Sequence, residues 1–268
     1  MSRIIVVTSG KGGVGKTTAT SNIGMALAKL NKKVLLIDAD VGLRNLDLLL
    51  GLENRIIYTG SDVLTGGSTL QQALITDKRQ PNLVFFPLSS NQTKLSITKE
   101  QIFSFVEQLR TKFDFILIDS PAGIDEGFQT AIEGATEAII VVTPEVTSIR
   151  DADKVIGILE SRGVKELNLL INRLRPDMVK AENMLSISDI QDILGVNLIG
   201  VIPDSERVII AANRGEPLVL NKKSSIPGLA FDNVARRLNG EIIDVSDLSM
   251  ELNTNPVRRL FKKFLIKP

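Results

Sequence analysis

The sequence predicts an α/β fold with three layers, in which a mostly parallel central sheet is flanked by helices. Short segments that are apolar along their whole length alternate with segments that carry one apolar face at helical spacing. Strands that are apolar on both faces are typical of a parallel sheet covered by helices. Repeated strand–helix units with right-handed crossovers place the strand-end loops along one edge, where ligands bind.

The predicted elements follow one another at short intervals. Residues 4–8 form a β-branched run that predicts the first strand, and this strand ends in a glycine-rich loop. Residues 17–30 predict the first helix, because one face would carry Ile23, Ala26, Leu27 and Leu30. Further strands are predicted at 34–37, 83–86, 115–118, 138–142, 167–171 and 198–202. Further helices are predicted at 98–111, 147–162 and 186–194, near 205–213, and at 227–238.

The chain divides into one domain and a C-terminal extension. Its 268 residues are enough for one α/β domain with a large buried core, which we expect to span 1–240. Residues 240–254 carry four acidic side chains, no basic one and no clear period, so we interpret 241–254 as a linker. Residues 255–268 predict an amphipathic helix. Because the N-terminal residues lead directly into the first strand, we expect no signal or transit peptide.

Two residue types are missing from the sequence, and their absence excludes several kinds of catalysis and metal binding. There is no Cys and no His. Disulfides, thiolate catalysis and Cys-ligated clusters are therefore excluded, and a transition-metal site is not expected. General base catalysis would fall to carboxylates, lysines or positioned water. No apolar run approaches the ~18 residues needed to span a bilayer.

Positive charge is concentrated at the C-terminal end. Residues 256–268 carry five basic side chains and no acidic one, and the rest of the chain has 27 basic and 31 acidic residues. A mildly acidic body is unlike a surface built to bind nucleic acid. We therefore expect no specific nucleic-acid partner.

The glycine-rich loop has the spacing of a phosphate-binding loop. Residues 10–17, GKGGVGKT, match G-x-x-x-x-G-K-[ST] between a predicted strand and a predicted helix. Glycines let backbone N–H groups surround phosphate oxygens, and the helix N-terminus adds a positive dipole end. Lys16 can reach the β- and γ-phosphates and Thr17 can ligate Mg²⁺. A glycine-rich turn without a ligand is the alternative. The predicted nucleotide-binding residues of this P-loop NTPase fold are Gly10, Lys11, Gly12, Gly13, Val14, Gly15, Lys16, Thr17 and Thr18.

The first lysine of the loop, Lys11, is not required by an ordinary P-loop. The run from Lys11 to Thr18, KGGVGKTT, resembles the deviant Walker A motif of the MinD/ParA ATPase family. In that family the first lysine reaches across a dimer to the partner's nucleotide. The resemblance therefore implies ATP and Mg²⁺ as cofactors, and an ATP-dependent homodimer in which Lys11 acts on the other subunit. A lysine that points into solvent is the alternative.

Carboxylates follow two of the predicted strands. Asp38 and Asp40 come after the second strand, and Asp119 follows the Phe-Ile-Leu-Ile run in a Walker B pattern. Carboxylates at strand ends beside a phosphate-binding loop suit Mg²⁺ coordination and the positioning of water. We predict Thr17, Asp38 and Asp119 as metal ligands. A strand-capping role is the alternative for each aspartate.

The resemblance to the MinD/ParA family extends from Ser2 over essentially the whole chain. Residues 38–47, DADVGLRNLD, and 119–124, DSPAGI, resemble the two switch segments of its division-site ATPases. Residues 148–153, SIRDAD, and 201–204, VIPD, resemble further segments of the same proteins.

This resemblance implies roles for individual residues. Asp40 would position the attacking water, and Asp119 would hold the Mg²⁺ shell. Asn172 would hydrogen-bond adenine, with Pro203 beside the base; for Asn172 a strand-end cap is the alternative. The expected catalytic residues are Lys11, Lys16 and Asp40.

The C-terminal segment has the pattern of an interfacial membrane helix. Pro256 suits a first helical position, and Asn255 is a possible cap. One apolar stripe, which we predict to contact the membrane, consists of Val257, Leu260, Phe261, Phe264 and Leu265. The basic residues lie off this stripe, and Ile266 is the one apolar residue out of place. An ordinary helix docked on the domain is the alternative.

The membrane affinity expected of this segment suggests how ATP would control its attachment. Each basic residue contributes on the order of 1 kcal/mol near anionic lipid, and folding and immobilising the helix offset much of that. One copy should bind weakly, whereas two copies on a dimer gain avidity of roughly 10² to 10⁴. ATP, by controlling dimerisation, would then control attachment to the membrane.

The implied function is to position the division site of a cell or plastid. The resemblance implies a MinC-type inhibitor and a MinE-type activator as partners. It also implies a peripheral location at an anionic membrane surface, on the cytoplasmic face of the inner membrane or in the plastid stroma. A ParA-type DNA-binding ATPase would need a basic body, and an ATPase like the nitrogenase iron protein would need Cys. A tyrosine autokinase would need a Tyr-rich tail, but Tyr58 is the only tyrosine. A flagellar-number regulator, which usually has an N-terminal extension, is left open.

Overall fold

The computed structural model describes residues 2–40, 45–88, 97–221 and 225–245. The strands are β1 Arg3–Thr8, β2 Val34–Asp38, β3 Ile75–Thr76, β4 Leu83–Pro87, β5 Phe115–Asp119, β6 Glu137–Val142, β7 Glu166–Leu174 and β8 Asn197–Pro203. The helices are α1 Lys16–Lys29, α2 Leu46–Leu50, α3 Gly60–Leu64, α4 Leu70–Ala73, α5 Lys99–Leu109, α6 Glu126–Ala131, α7 Val146–Ser161, α8 Pro176–Lys180, α9 Ile187–Leu194, α10 Glu206–Asn213 and α11 Ile226–Leu238.

Within these described ranges the strands form one eight-stranded sheet, in the order β3-β4-β2-β5-β1-β6-β7-β8. Every neighbouring pair is parallel except β3 with β4, which is antiparallel. The predicted mostly parallel sheet is therefore confirmed. Because β1 lies between β5 and β6, the loop after β1 opens near the middle of the carboxyl edge.

Alternate residues of the strands point to opposite faces, and each face is covered by helices. On one face, Ile5 and Val7 of β1 pack in a cluster with the apolar residues of α1 and α11. On the other face, Val6 packs with α7 and α9, and Ile4 packs with α5. This alternation produces the predicted three layers, and it explains why the central strands are apolar on both sides.

Short elements were missing from the sequence prediction. The helices α2, α3, α4, α6 and α8 are only four to six residues long. The two-residue edge strand β3 was also not predicted. These elements are too short to show an apolar period of 3.6 or 2 residues, which was the signal used to find the others.

The first part of the predicted linker lies against the domain. The Arg237 guanidinium, on α11, donates to the carbonyl oxygens of Ile243 and Asp244 at 2.8 and 2.9 Å, and to that of Ile199 on β8 at 2.9 Å. The rest of the linker and the predicted helix at 255–268 lie outside the described residues. No helix in the described ranges is long and apolar enough to cross a membrane.

Candidate nucleotide site

The loop between β1 and α1 has a shape that only glycine allows at two positions. Gly13 and Gly15 have φ angles of +76° and +98°, in the left-handed region that side chains avoid. A Cβ atom on Gly15 would also lie 2.4 Å from the Asn172 Nδ2 atom. Gly15 occupies the N-cap position of α1 and provides no side-chain cap there. The first N–H groups of α1 therefore remain available to an anion.

Lys16 is a buried cation at the start of α1. It is 8% exposed, and its Nζ atom donates a hydrogen bond to the Ser9 Oγ atom at 3.1 Å. Burial lowers its pKa, and the negative charges of Asp119 and Asp40 oppose this shift. A buried ammonium group is stabilised by anions, so phosphate oxygens in the adjacent loop would be favourable partners.

Two buried carboxylates face each other at the ends of β2 and β5. Asp38 and Asp119 are direct neighbours in the sheet register, and each is 2% exposed. The Asp38 carboxylate accepts hydrogen bonds from the backbone N–H groups of Asp40 and Leu46 at 3.1 and 3.2 Å. Asp119 accepts one from the Thr20 hydroxyl at 3.0 Å.

Burial dominates the protonation of this pair. It raises the pKa of Asp119 to about 6, although hydrogen bonds from Thr17 and Thr20 and the charge of Lys16 lower it. Burial, followed by the charge of Asp119, also raises the pKa of Asp38 well above its usual range. Two like charges buried together favour a divalent cation between or beside them.

The residues present fit Mg²⁺ bound together with a phosphate. Among the described residues, no group of three or more acidic side chains is arranged to hold a metal alone. Mg²⁺ typically takes only one or two protein carboxylates and completes its shell with phosphate oxygens and water. The hydroxyl of Thr17 and the carboxylates of Asp38 and Asp119 supply such a partial set. Their role as ligands stays a prediction.

A cleft of about 530 Å³ lies over the loop, and half of the predicted nucleotide-binding, metal-binding and catalytic residues line it. The predicted residues that line it are Gly12, Gly13, Gly15, Lys16, Thr17, Thr18 and Asp40. Three other lining residues, Asn45, Ser120 and Ala122, lie in the two segments that resemble switches but were not predicted individually. The remaining lining residues were not predicted at all, and they are Leu48, Leu49, Arg173, Ala212 and Asn213. Together, these additional residues come from four separate segments of the chain, which are brought together only by the fold.

Lys11 does not line the cleft of its own subunit. Its Nζ atom pairs with the Glu145 Oε2 atom at 2.7 Å and lies 3.3 Å from the Thr147 hydroxyl, at the start of α7. The two side chains of the ion pair are 40% and 55% exposed. An exposed pair contributes about 0–1 kcal/mol, so Lys11 can leave Glu145 at little cost.

The two residues expected at the base lie in different places. The Asn172 side chain is buried behind the P-loop and donates to the Val14 carbonyl oxygen at 2.7 Å. Pro203 lines another cavity of about 300 Å³, with residues of α10 and α11. Neither contact tests their predicted role toward adenine. The switch residues 41–44 and the five predicted membrane-contacting residues lie outside the described ranges.

Ser9 and Thr20 are site residues that motif matching missed. The Ser9 hydroxyl accepts from Lys16 and donates to the Lys11 carbonyl oxygen at 2.8 Å. Thr20 lies one helical turn after Lys16, which is the only sequence signal that could have placed it beside the loop. A parallel α/β sheet with a phosphate-binding loop, a buried lysine and paired strand-end carboxylates defines a P-loop nucleotide-binding protein.

Comparison with known proteins identifies the branch of this class. Residues 5–218 match the family model described as the CobQ/CobB/MinD/ParA nucleotide binding domain. The chain is 70% identical over 265 residues to a putative septum site-determining protein MinD of Emiliania huxleyi, covering 99% of this chain and 97% of that protein. It is 58% identical over 261 residues to septum site-determining protein MinD of a Synechocystis species, covering 97% and 98%.

Solved structures agree with the sequence relatives. The MinC:MinD cell division protein complex of Aquifex aeolicus matches with a TM-score of 0.85 at 51% identity, covering 91% of this chain and 98% of that one. MinD of Pyrococcus horikoshii, complexed with Mg-ADP, matches with a TM-score of 0.82 at 32% identity, covering 89% and 96%. The chain belongs to the MinD septum site-determining proteins of the MinD/ParA family.

Proposed function

We propose that this protein is an ATPase that dimerises with ATP, cycles on and off a membrane, and positions the division site. The observation that carries the proposal is the buried group formed by Lys16, Asp38 and Asp119 under the P-loop. Within this group one buried ammonium lies near two buried carboxylates that repel each other, and it offsets only part of their charge. Phosphate oxygens would be further anionic partners for the ammonium, and Mg²⁺ would neutralise the carboxylates. A magnesium–nucleoside triphosphate provides both.

Different residues of the chain bind the phosphates, hold Mg²⁺ and orient the attacking water. The loop N–H groups and Lys16 bind the β- and γ-phosphates, while Thr17, Asp38 and Asp119 hold Mg²⁺, which when bound neutralises developing phosphate charge. Asp40 is half-buried and lines the cleft next to Lys16 and Thr17. It lies two residues after Asp38, outside the Asp38–Asp119 pair of the sheet register, and its carboxylate orients the attacking water.

Dimerisation is proposed because Lys11 is turned away from its own cleft. Its exposed partner Glu145 holds it only weakly, so the phosphates of a nucleotide on a second subunit are better partners. ATP then stabilises the dimer because each nucleotide contacts both subunits. ADP lacks the γ-phosphate and gives Lys11 less negative charge to bind.

The membrane step rests on the sequence of residues 256–268, with its apolar stripe and five basic side chains. The division-site function rests on the family and on the MinC:MinD complex formed by the Aquifex protein. A MinC-type inhibitor is therefore the proposed partner, a MinE-type factor the proposed activator, and an anionic membrane surface the proposed location. That surface is either the cytoplasmic face of a bacterial inner membrane or a membrane reached from the plastid stroma.

Sedimentation velocity tests the nucleotide part of the proposal. With Mg²⁺ and ATP the protein should sediment as a dimer, and with ADP as a monomer. Lys16→Ala removes the buried ammonium and should stay monomeric with ATP. Lys154→Ala is the matched control, because Lys154 is an exposed lysine of α7 that forms an ion pair with Asp151 on its own helix. A Lys16→Ala protein that dimerises like wild type would refute the assignment.

A further inference from the structure

Arg173 has a backbone conformation that its side chain does not favour. Its φ angle is +58°, one of three positive values among the non-glycine residues that the structure describes. The other two, Asn31 and Glu182, lie just after α1 and α8, where a left-handed residue commonly ends a helix. Arg173 instead lies within strand β7. Such an outlier inside a strand calls for a functional explanation.

A β-bulge produces this conformation. Ile171 pairs with Val201 and Leu174 pairs with Pro203, so two residues of β7 lie opposite one residue of β8. Bulges turn a side chain away from the regular alternation of a strand, and they recur beside binding sites. The bulge at Arg173 therefore gives its side chain a direction that a regular strand would not.

The P-loop itself stabilises the bulge. The Asn172 side chain donates to the Val14 carbonyl oxygen at 2.7 Å and accepts from the Arg173 N–H group at 3.0 Å. Asn172 is buried, whereas Arg173 is exposed and lines the nucleotide cleft with Gly15, Thr18 and Asn213. No hydrogen bond or ion pair joins its guanidinium to any residue in the described ranges, so the group is available to a ligand.

The order of strands shows which end of a nucleotide Arg173 would meet. The carboxylates Asp38 and Asp119 end β2 and β5, on one side of β1, and Arg173 lies on β7, on the other side. The terminal phosphates must lie near the carboxylates that share their Mg²⁺. Strands in a sheet are about 4.8 Å apart, so Arg173 stands about 14 Å from β5, at the nucleoside end of the cleft.

We infer that Arg173 stacks its guanidinium plane on the purine ring of the bound nucleotide and so helps to select and hold the base. This inference rests on the proposed function, because it requires nucleotide in the cleft. A planar guanidinium is suited to stacking on an aromatic face, and an ammonium is not. The polyphosphate is already bound by Lys16 and the loop N–H groups. The second cation, Arg173, lies at the nucleoside end of the cleft, so its partner there is better explained as the base.

Titration with fluorescent ADP tests this role. Arg173→Gly removes the guanidinium and suits a positive φ, so it should fold as well as wild type in a thermal melt. It should bind ADP about five- to thirtyfold more weakly, the range expected for a lost cation–π contact. Binding of inorganic tripolyphosphate, which has no base, should stay at the wild-type value. Arg173→Lys keeps the charge without the plane and should be nearly as weak as Arg173→Gly.

A matched backbone control is available. Asn31→Gly makes the same exchange at a positive-φ position after α1, outside the residues that line the cleft, and should leave ADP affinity unchanged. Wild-type affinity for ADP in Arg173→Gly would overturn the inference, as would full recovery in Arg173→Lys or an equal loss of tripolyphosphate binding. Wild-type protein that binds neither ADP nor ATP would instead refute the proposed function, so the two failures are distinguishable.

Discussion

The buried negative charge of the Asp119 carboxylate should destabilise the fold of the nucleotide-free protein. The perturbation that tests this is Asp119→Asn, which keeps the size of the side chain and an oxygen acceptor for the Thr20 hydroxyl. It removes a negative charge that is buried next to Asp38. Removing Asp119 should therefore stabilise the fold and damage Mg²⁺ binding at the same time.

The expected magnitude follows from the pKa of Asp119. Burial raises this pKa to about 6 from an ordinary value of 3.8. Because the folded state holds the proton more tightly than the unfolded state, the carboxyl group reduces stability at pH 7. This cost is relieved as the pH falls from above 6 toward 4. The shift corresponds to about 3 kcal/mol at pH 7, and lowering the pH from 7 to 5 should recover about 1 kcal/mol.

Urea unfolding in EDTA, without nucleotide, measures the effect. At pH 7 the free energy of unfolding of Asp119→Asn should exceed that of wild type by up to about 3 kcal/mol, and the difference should shrink at pH 5. Asp192→Asn, an exposed substitution on α9, should change neither value. Equal or lower stability of Asp119→Asn at pH 7 would show that the buried charge is not a net cost.

Two further predictions concern the chemistry of the cleft. Lys11→Ala should retain most of its ATP affinity, because Lys11 pairs with Glu145 and does not line its own cleft, but its hydrolysis rate should fall about a hundredfold. Mixing it with Asp40→Ala protein should restore some turnover. Wild-type turnover by Lys11→Ala alone would refute action across the dimer. Asp40→Ala should lose at least about a hundredfold in turnover, while Lys16, Thr17 and the loop still bind phosphate. It should therefore accumulate as an ATP-bound dimer, which size-exclusion chromatography would detect. Normal turnover would exclude Asp40 as the residue that positions water.

The larger elements could be predicted because each leaves a regular pattern. The central strands are continuous apolar runs, and α5, α7 and α11 show one apolar face. The short helices α3 and α4 had no period to detect. Capping boxes at Thr59 with Asp62 and at Thr69 with Gln72 were nevertheless present as a local signal.

The site residues likewise comprise some that a motif predicts and others that only the fold brings into place. Lys16 and Asp119 belong to motifs whose spacing is fixed by phosphate and Mg²⁺, so the sequence located them. Arg173 and Thr20 belong to no motif, and their positions depend on the bulge in β7 and on the packing of α1 against β5. The pairing of Lys11 with Glu145 joins residues 134 positions apart and could not be read from either segment.

The central claim is that ATP controls membrane attachment by controlling how many basic amphipathic segments are presented together. Sedimentation with anionic liposomes tests it, using full-length protein and protein that lacks residues 256–268. Full-length protein should sediment with Mg²⁺ and ATP and remain mostly soluble with ADP. The truncated protein should stay soluble with ATP although it still dimerises. Phe261→Glu or Phe264→Glu should behave like the truncation, because each places a charge in the apolar stripe. Equal sedimentation of the full-length protein with ADP and with ATP, or ATP-dependent sedimentation of the truncated protein, would contradict the account.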